Sequence, residues 1–162
     1  LIKIEYLVSC FGAFISLMIV TLTSEFVLGQ QSALVLSASM GASAVLLYAA
    51  PHSPMSQPWP LVGGHIVSAL IGVTCAMHIE TLAISAPLAA ALSILLMAML
   101  RCVHPPGGAA ALIAVVGGKD IHALGYQFVF SPILVNVLIM LAITYVVNNL
   151  VLRRTYPKIS AP

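Results

Sequence analysis

The residues that could do chemistry are few and unevenly placed. A chain of 162 residues carries six Lys or Arg, four Asp or Glu and five His. One stretch, Arg101-Cys102-Val103-His104-Pro105-Pro106-Gly107-Gly108-Ala109-Ala110-Ala111, gathers a cation, a histidine, two prolines and two glycines inside a very apolar run. A proline cannot continue a helix interior, so the helix arriving at Arg101 should stop there. Proline is well suited to a first helical position, so a new helix should run from Gly107 to Val116. A helix start with open N–H groups, positive dipole and nearby cationic side chains is suited to binding an anion. His104 adds a hydrogen bond and a charge that can switch near neutral pH.

Other chemistries find less support. His52, His65, His78, His104 and His122 show no pair at metal-ligand spacing and no acidic company, so no metal site is expected. No nucleophile motif is present, which argues against an enzyme, and no phosphate-loop or dinucleotide pattern suggests a cofactor. Glu5, Glu25, Glu80 and Asp120 all fall near the ends of apolar segments. Cation pathways and proton relays usually need an acid at membrane depth, so an anion or small neutral solute is the expected substrate class. A net charge of +2 with no basic stripe gives no footprint for nucleic acid.

The elements that must position these residues belong to a membrane. The chain is 61% hydrophobic and 6% charged, with mean hydropathy +1.12. That leaves too little polar surface to face water, and the lipid bilayer becomes the solvent. The expected fold is all-α, a polytopic bundle of six helical segments forming one transmembrane domain over residues 1–162. The first apolar run is about twice as long as a signal-peptide core and lacks a cleavage site, so it is read as structure. The first span covers Glu5 to Gly29; Gln30 and Gln31 mark a turn, and Ser32 to Ala50 follows. Pro51, Pro54, Pro58 and Pro60 make an extended loop ending at a third segment, Leu61 to Met77. There Gly64, Ser68, Gly72 and Ala76 form a four-residue ridge that lets another helix approach closely, in the bundle interior or between subunits of a homo-oligomer. Ala86 to Leu100, with Pro87 in its first turn, precedes the break, and Val129 to Leu152 is the last span. Cys10, Cys75 and Cys102 read as free thiols.

A shift of 67 residues lays Gly41-Ala42-Ser43-Ala44-Val45-Leu46 on Gly108-Ala109-Ala110-Ala111-Leu112-Ile113. The order of elements repeats as well, suggesting two three-element repeats over residues 5–78 and 79–152. Three crossings per half would put Arg101 and Arg153/Arg154 on the side of both termini, with Lys119 opposite; re-entrant small-residue segments would leave four crossings. The positive-inside rule favours the first, with cytoplasmic termini.

His104-Pro105-Pro106-Gly107-Gly108-Ala109, with Ser53-Pro54-Met55-Ser56-Gln57-Pro58 upstream, resembles the HPP family of integral membrane proteins over essentially the whole chain. That family includes nitrite transporters of cyanobacterial and chloroplast envelope membranes, and some members carry a C-terminal CBS domain. The resemblance therefore implies membrane transport, with nitrite as the leading anion and a bacterial inner membrane as the expected location. The expected binding residues are Arg101, His104, Gly107, Gly108 and Ala109, faced by Ser39, Gly41 and Ser43. Ser53, Ser56 and Gln57 are expected at the mouth. A membrane scaffold or sensor with a purely architectural Pro-Pro break is the alternative.

Overall fold

The computed structural model describes residues 3–158. As expected, it is an all-helical bundle: α1 (Ile4–Leu28), α2 (Gln30–Ala49), α3 (Pro58–His78), α4 (Leu82–Met99), α5 (Pro105–Val116), α6 (Lys119–Leu124) and α7 (Val135–Tyr145). Wider π-type turns, Val129–Leu134 and Val146–Val151, extend α7 at both ends. Among the described residues five rods are long and apolar enough to cross a bilayer: α1, α2, α3, α4 and Val129–Val151. The 12-residue α5 is shorter; at 1.5 Å per residue it covers about 18 Å.

Several boundaries differ from those expected, each for a local reason. Gln30 and Gln31 are helical, and Gly29 alone joins α1 to α2 at φ +76, a conformation that only glycine adopts without strain. The hairpin is antiparallel, with Thr21 bonded to Ser37 at 2.7 Å and, farther from the turn, Ser16 to Tyr48. Pro58 and Pro60 lie inside the first turn of α3 instead of an extended loop, because the first N–H groups of a helix have no partner to lose. A 3-10 turn, Pro54–Ser56, occupies part of the same stretch. α4 begins at Leu82, which places Pro87 past its first turn and makes the helix 18 residues long. About 27 Å of helix is then available, enough for a crossing.

Residue pairs fix the directions of the helices. Gly64 of α3 meets His104 and Gly107, and Gly72 meets Ala111 and Ala114, so α3 and α5 run parallel. α4 returns between them, with Met97 near Gly64 and the Trp59 indole donating to the Leu100 carbonyl at 3.1 Å. α7 runs against α1, joined by Asn136 donating to Ser24 at 2.7 Å. α1 packs along α2 as α4 packs along α5, and the α3–α4 contact has its counterpart in α1–α7.

Among the described residues six helices thus alternate in direction through the bundle, α5 over a shorter distance than the others, and the charges separate. Lys3, Arg101, Arg153, Arg154 and Lys158 lie at one end with Glu5; Lys119 lies at the other with Glu25, Glu80 and Asp120. Arg154 joins Glu5 at 3.3 Å across the first end, and Ser32 donates to Asp120 at 3.0 Å at the second.

The small-residue ridge of α3 is used inside the chain. A Cβ on Gly72 would come within 2.5 Å of the Ala111 carbonyl, and one on Gly107 within 2.6 Å of the Gly64 carbonyl. These helices touch backbone to backbone, the packing that small residues permit in lipid. The ridge thus gives no separate argument for contact between subunits. Gly72→Leu should lower stability by about 3 kcal/mol or prevent folding, because a packed backbone cannot yield as a side chain can. Gly41→Ala, where a Cβ meets nothing within 4 Å, should change stability little. Thermal unfolding of both variants in detergent checks the contrast.

Candidate functional site

The site is built by the way α4 ends. Arg101 takes φ +54, the Cys102 N–H donates to the Met97 carbonyl at 2.8 Å, and the Arg101 N–H donates to Ala98 at 3.2 Å. This pair of bonds is a Schellman closure with an arginine where glycine is usual. A cation there also complements the negative end of the α4 dipole. His104 precedes a proline and is held extended, at φ −138 and ψ 102. Its side chain consequently points inward from the end of α5.

Inside the bundle His104 meets Ser43 of α2 and His65 of α3. The His104 Nδ1–H donates to the Met55 carbonyl at 2.8 Å, and Nε2 lies 2.9 Å from Ser43 Oγ. The His65 Nδ1–H donates to the Leu61 carbonyl at 2.9 Å, and its Nε2 lies 3.4 Å from the same Oγ. A carbonyl can only accept, so both Nδ1 atoms carry hydrogen and both Nε2 atoms of the neutral rings are acceptors. The ring centroids are 4.9 Å apart. Ser39 completes the group by donating to the Pro106 carbonyl at 2.7 Å. All four side chains are fully buried. Ser68 Oγ, also fully buried, lies near Gly107 without a hydrogen-bond partner.

Of the residues expected to face a ligand, the structure brings together His104, Ser39 and Ser43. The others lie elsewhere. Arg101 is exposed at the bundle end, where it closes α4, so the buried group forms without it. Gly107 packs against the Gly64 carbonyl, and its N–H donates to the His104 carbonyl at 2.8 Å. Pro105 and Pro106 have no N–H, which leaves fewer open donors at this helix start than expected. Gly108 and Ala109 are half-buried on faces of α5 turned from Gly64, and a Cβ on Gly108 would meet open space. Gly41 is two residues from both Ser39 and Ser43, about 200° around a helix, and so points away from them. It lines a groove of about 350 Å³ between α1 and α2 that ends at Arg154.

The Ser53–Gln57 stretch is a bracket, with its polar groups taken up internally. Ser53 Oγ accepts from the Met55 N–H at 3.3 Å. Ser56 Oγ lies 2.8 Å from the Ala50 carbonyl and 3.0 Å from that of Leu46, at the end of α2. Gln57 donates to the Pro51 and Ser53 carbonyls at 3.0 and 2.9 Å and accepts from the Lys158 N–H at 2.8 Å. The Tyr156 hydroxyl donates to the Ser56 carbonyl at 2.8 Å. Burial pushes that phenol above its ordinary range, with Tyr48 adding to the effect, and keeps it a donor. The bracket's contribution to the buried group is the Met55 carbonyl.

His65 was not among the expected binding residues. Its partnership with His104 spans 39 positions and arises only when α5 docks on α3. The one local signal was its place beside Gly64, on the ridge that draws the two helices together.

Comparison with known proteins agrees with this architecture. The family model described as HPP, transmembrane region, matches residues 3–157. A transmembrane protein of Dictyostelium discoideum is 42% identical over 127 residues, covering 76% of this chain and 44% of the relative. A second from the same organism is 36% identical over 153 residues, covering 92% of this chain and 49% of the relative. The chain thus spans about half the length of the curated relatives it matches. No solved structure matches it. With the family model covering nearly every residue, the chain belongs to the HPP transmembrane family.

Proposed function

We propose that this chain carries a small monovalent anion across the membrane, with nitrite as the leading candidate, past the Ser39, Ser43, His65 and His104 group. The observation that carries the reading is a fully buried cluster of polar side chains with no acid among them, at the positive end of α5. Polar groups are costly to place inside a membrane bundle, and there they usually mark a solute path. All four acidic residues sit at the bundle ends, so nothing negative competes with an entering anion. Nitrite is favoured by the likeness to the nitrite-transporting members of the family. The end bearing Lys3, Arg101, Arg153, Arg154 and Lys158 faces the cytoplasm, following the excess of basic residues there.

Two measurements test the reading. In proteoliposomes, His104→Asn should slow nitrite uptake at least about tenfold, since a buried partner is lost. Arg101→Ala should stay within about threefold, because an exposed charge is screened by solvent and salt. A deep loss with Arg101→Ala alone would move the anion site to the bundle end. Separately, nitrite at ten times its dissociation constant should raise the unfolding temperature of the purified protein by about 3–6 °C, as expected for about 1.4 kcal/mol of ligand stabilisation. Absence of both flux and stabilisation with nitrite, nitrate, formate and chloride would favour a scaffold or sensor.

A further inference from the structure

Ser43 has one hydroxyl hydrogen and three acceptors around it. These are His104 Nε2 at 2.9 Å, His65 Nε2 at 3.4 Å and the Ser39 carbonyl at 3.4 Å. Both rings are tied through Nδ1–H to carbonyls on separate elements, Met55 on the bracket and Leu61 on α3. Neither neutral ring can therefore offer Nε2–H without giving up its bond to a carbonyl. The distances follow the shortage: one contact is short, and the two that the hydrogen does not serve are long. The neutral group is one hydrogen short of a complete network.

We propose that His65, Ser43 and His104 form a binding site for a single proton, and that this proton travels with the anion in an electroneutral symport. With one proton added, His65 Nε2–H donates to Ser43 Oγ, and the Ser43 hydroxyl donates to His104 Nε2. The proton passes along the same line. The His65 Nε2–H bond breaks as its hydrogen joins Ser43 Oγ, and the original Ser43 O–H bond breaks as that hydrogen joins His104 Nε2. Ser43 ends neutral, and the positive charge has moved from α3 to the end of α5. A second proton would set two imidazolium rings with centroids 4.9 Å apart, and like charges so close oppose it.

No counter-charge is built in. The other titratable side chains on the packed elements are Tyr48 on α2, Cys75 and His78 on α3, Cys102 on the break and Tyr156 over the bracket. Tyr48 bonds to Ser16, Cys75 packs with Ala89 and Val115, His78 bonds to the Thr74 carbonyl, and Tyr156 bonds to Ser56. Cys102 lies against Gly63, and Arg101 is exposed. Among the described residues none of these bonds to either imidazole, and no carboxylate faces the rings. A buried imidazolium and a buried anion are each expensive alone and much less so together. Proton and anion therefore enter as a pair.

The proton site stands apart from the transport reading; the symport rests on it, and the experiment separates the two. The full chain in lipid nanodiscs, labelled with ¹⁵N-histidine, is titrated while the imidazole nitrogens are followed by NMR. One proton per chain, distributed over His65 and His104, is expected. Ser43→Ala should confine it to one ring and move the midpoint by about one pH unit or more. Independent single-ring titrations unchanged in Ser43→Ala, or no protonation of either ring at any pH where the protein stays folded, would overturn the site. In proteoliposomes, corrected for protein-free vesicles, a nitrite gradient should move one proton per nitrite with no current. His65→Asn should lower that ratio, and His65→Gln offers a second uncharged ring replacement if the first fails to fold. Nitrite flux carrying current and no protons would overturn the symport. A shared proton without any nitrite flux would leave the site standing and remove the transport reading.

Discussion

Every backbone N–H and C=O within hydrocarbon must find a partner inside the protein, and the break between α4 and α5 is where that demand is hardest to meet. The chain meets it with few groups. Cys102 and Arg101 return their N–H groups to α4, two prolines remove donors altogether, and Gly107 returns its N–H to His104. The Pro106 carbonyl takes the Ser39 hydroxyl as an additional partner. The left-handed Arg101 is part of this closure, at an expense of about 1 kcal/mol for a residue with a side chain. With Arg101 and Cys102 closing α4, His104 is extended and its imidazole is directed into the bundle.

That closure depends on close packing by α3. Gly64 lies against His104 and Gly107, and Gly72 lies against Ala111, so α5 is held along its length by a neighbour with no side chain in the way. Small residues at these contacts decide how deep the end of α5 sits, and hence which α2 residues it meets. Ser39 and Ser43 are one helical turn apart and face it together. On the other side of α2 the chain uses a separate polar seam, with Ser16 on Tyr48 and Ser24 on Asn136, to hold α1 against its neighbours.

Much of this was legible in the residues. Apolar runs gave the spans, and the His-Pro-Pro turn gave the broken helix. The ridge from Gly64 to Ala76 marked α3 as a close-packing helix, and the positions of the acids marked the bundle ends. What could not be read were choices among roles that one residue type can fill. A glycine serves an approaching ligand and an approaching helix equally well, and Gly107 serves the helix. An arginine beside a helix break can face a ligand or close the helix by turning left-handed, and Arg101 does the second. Gly41 was separable by helical phase, yet its even spacing with Ser39 and Ser43 suggested a shared wall. The His65–His104 pair depends on the depth of docking between two helices, which no local pattern encodes.

Consecutive carbonyls in the bracket have clients on opposite sides. Met55 holds the buried His104 ring, and Ser56 holds the Tyr156 hydroxyl of the tail, while Gln57 anchors Lys158. Tail and imidazole therefore share one short piece of backbone. Tyr156 and Lys158, which follow α7, thus brace the same piece of backbone that orients the fully buried His104 ring.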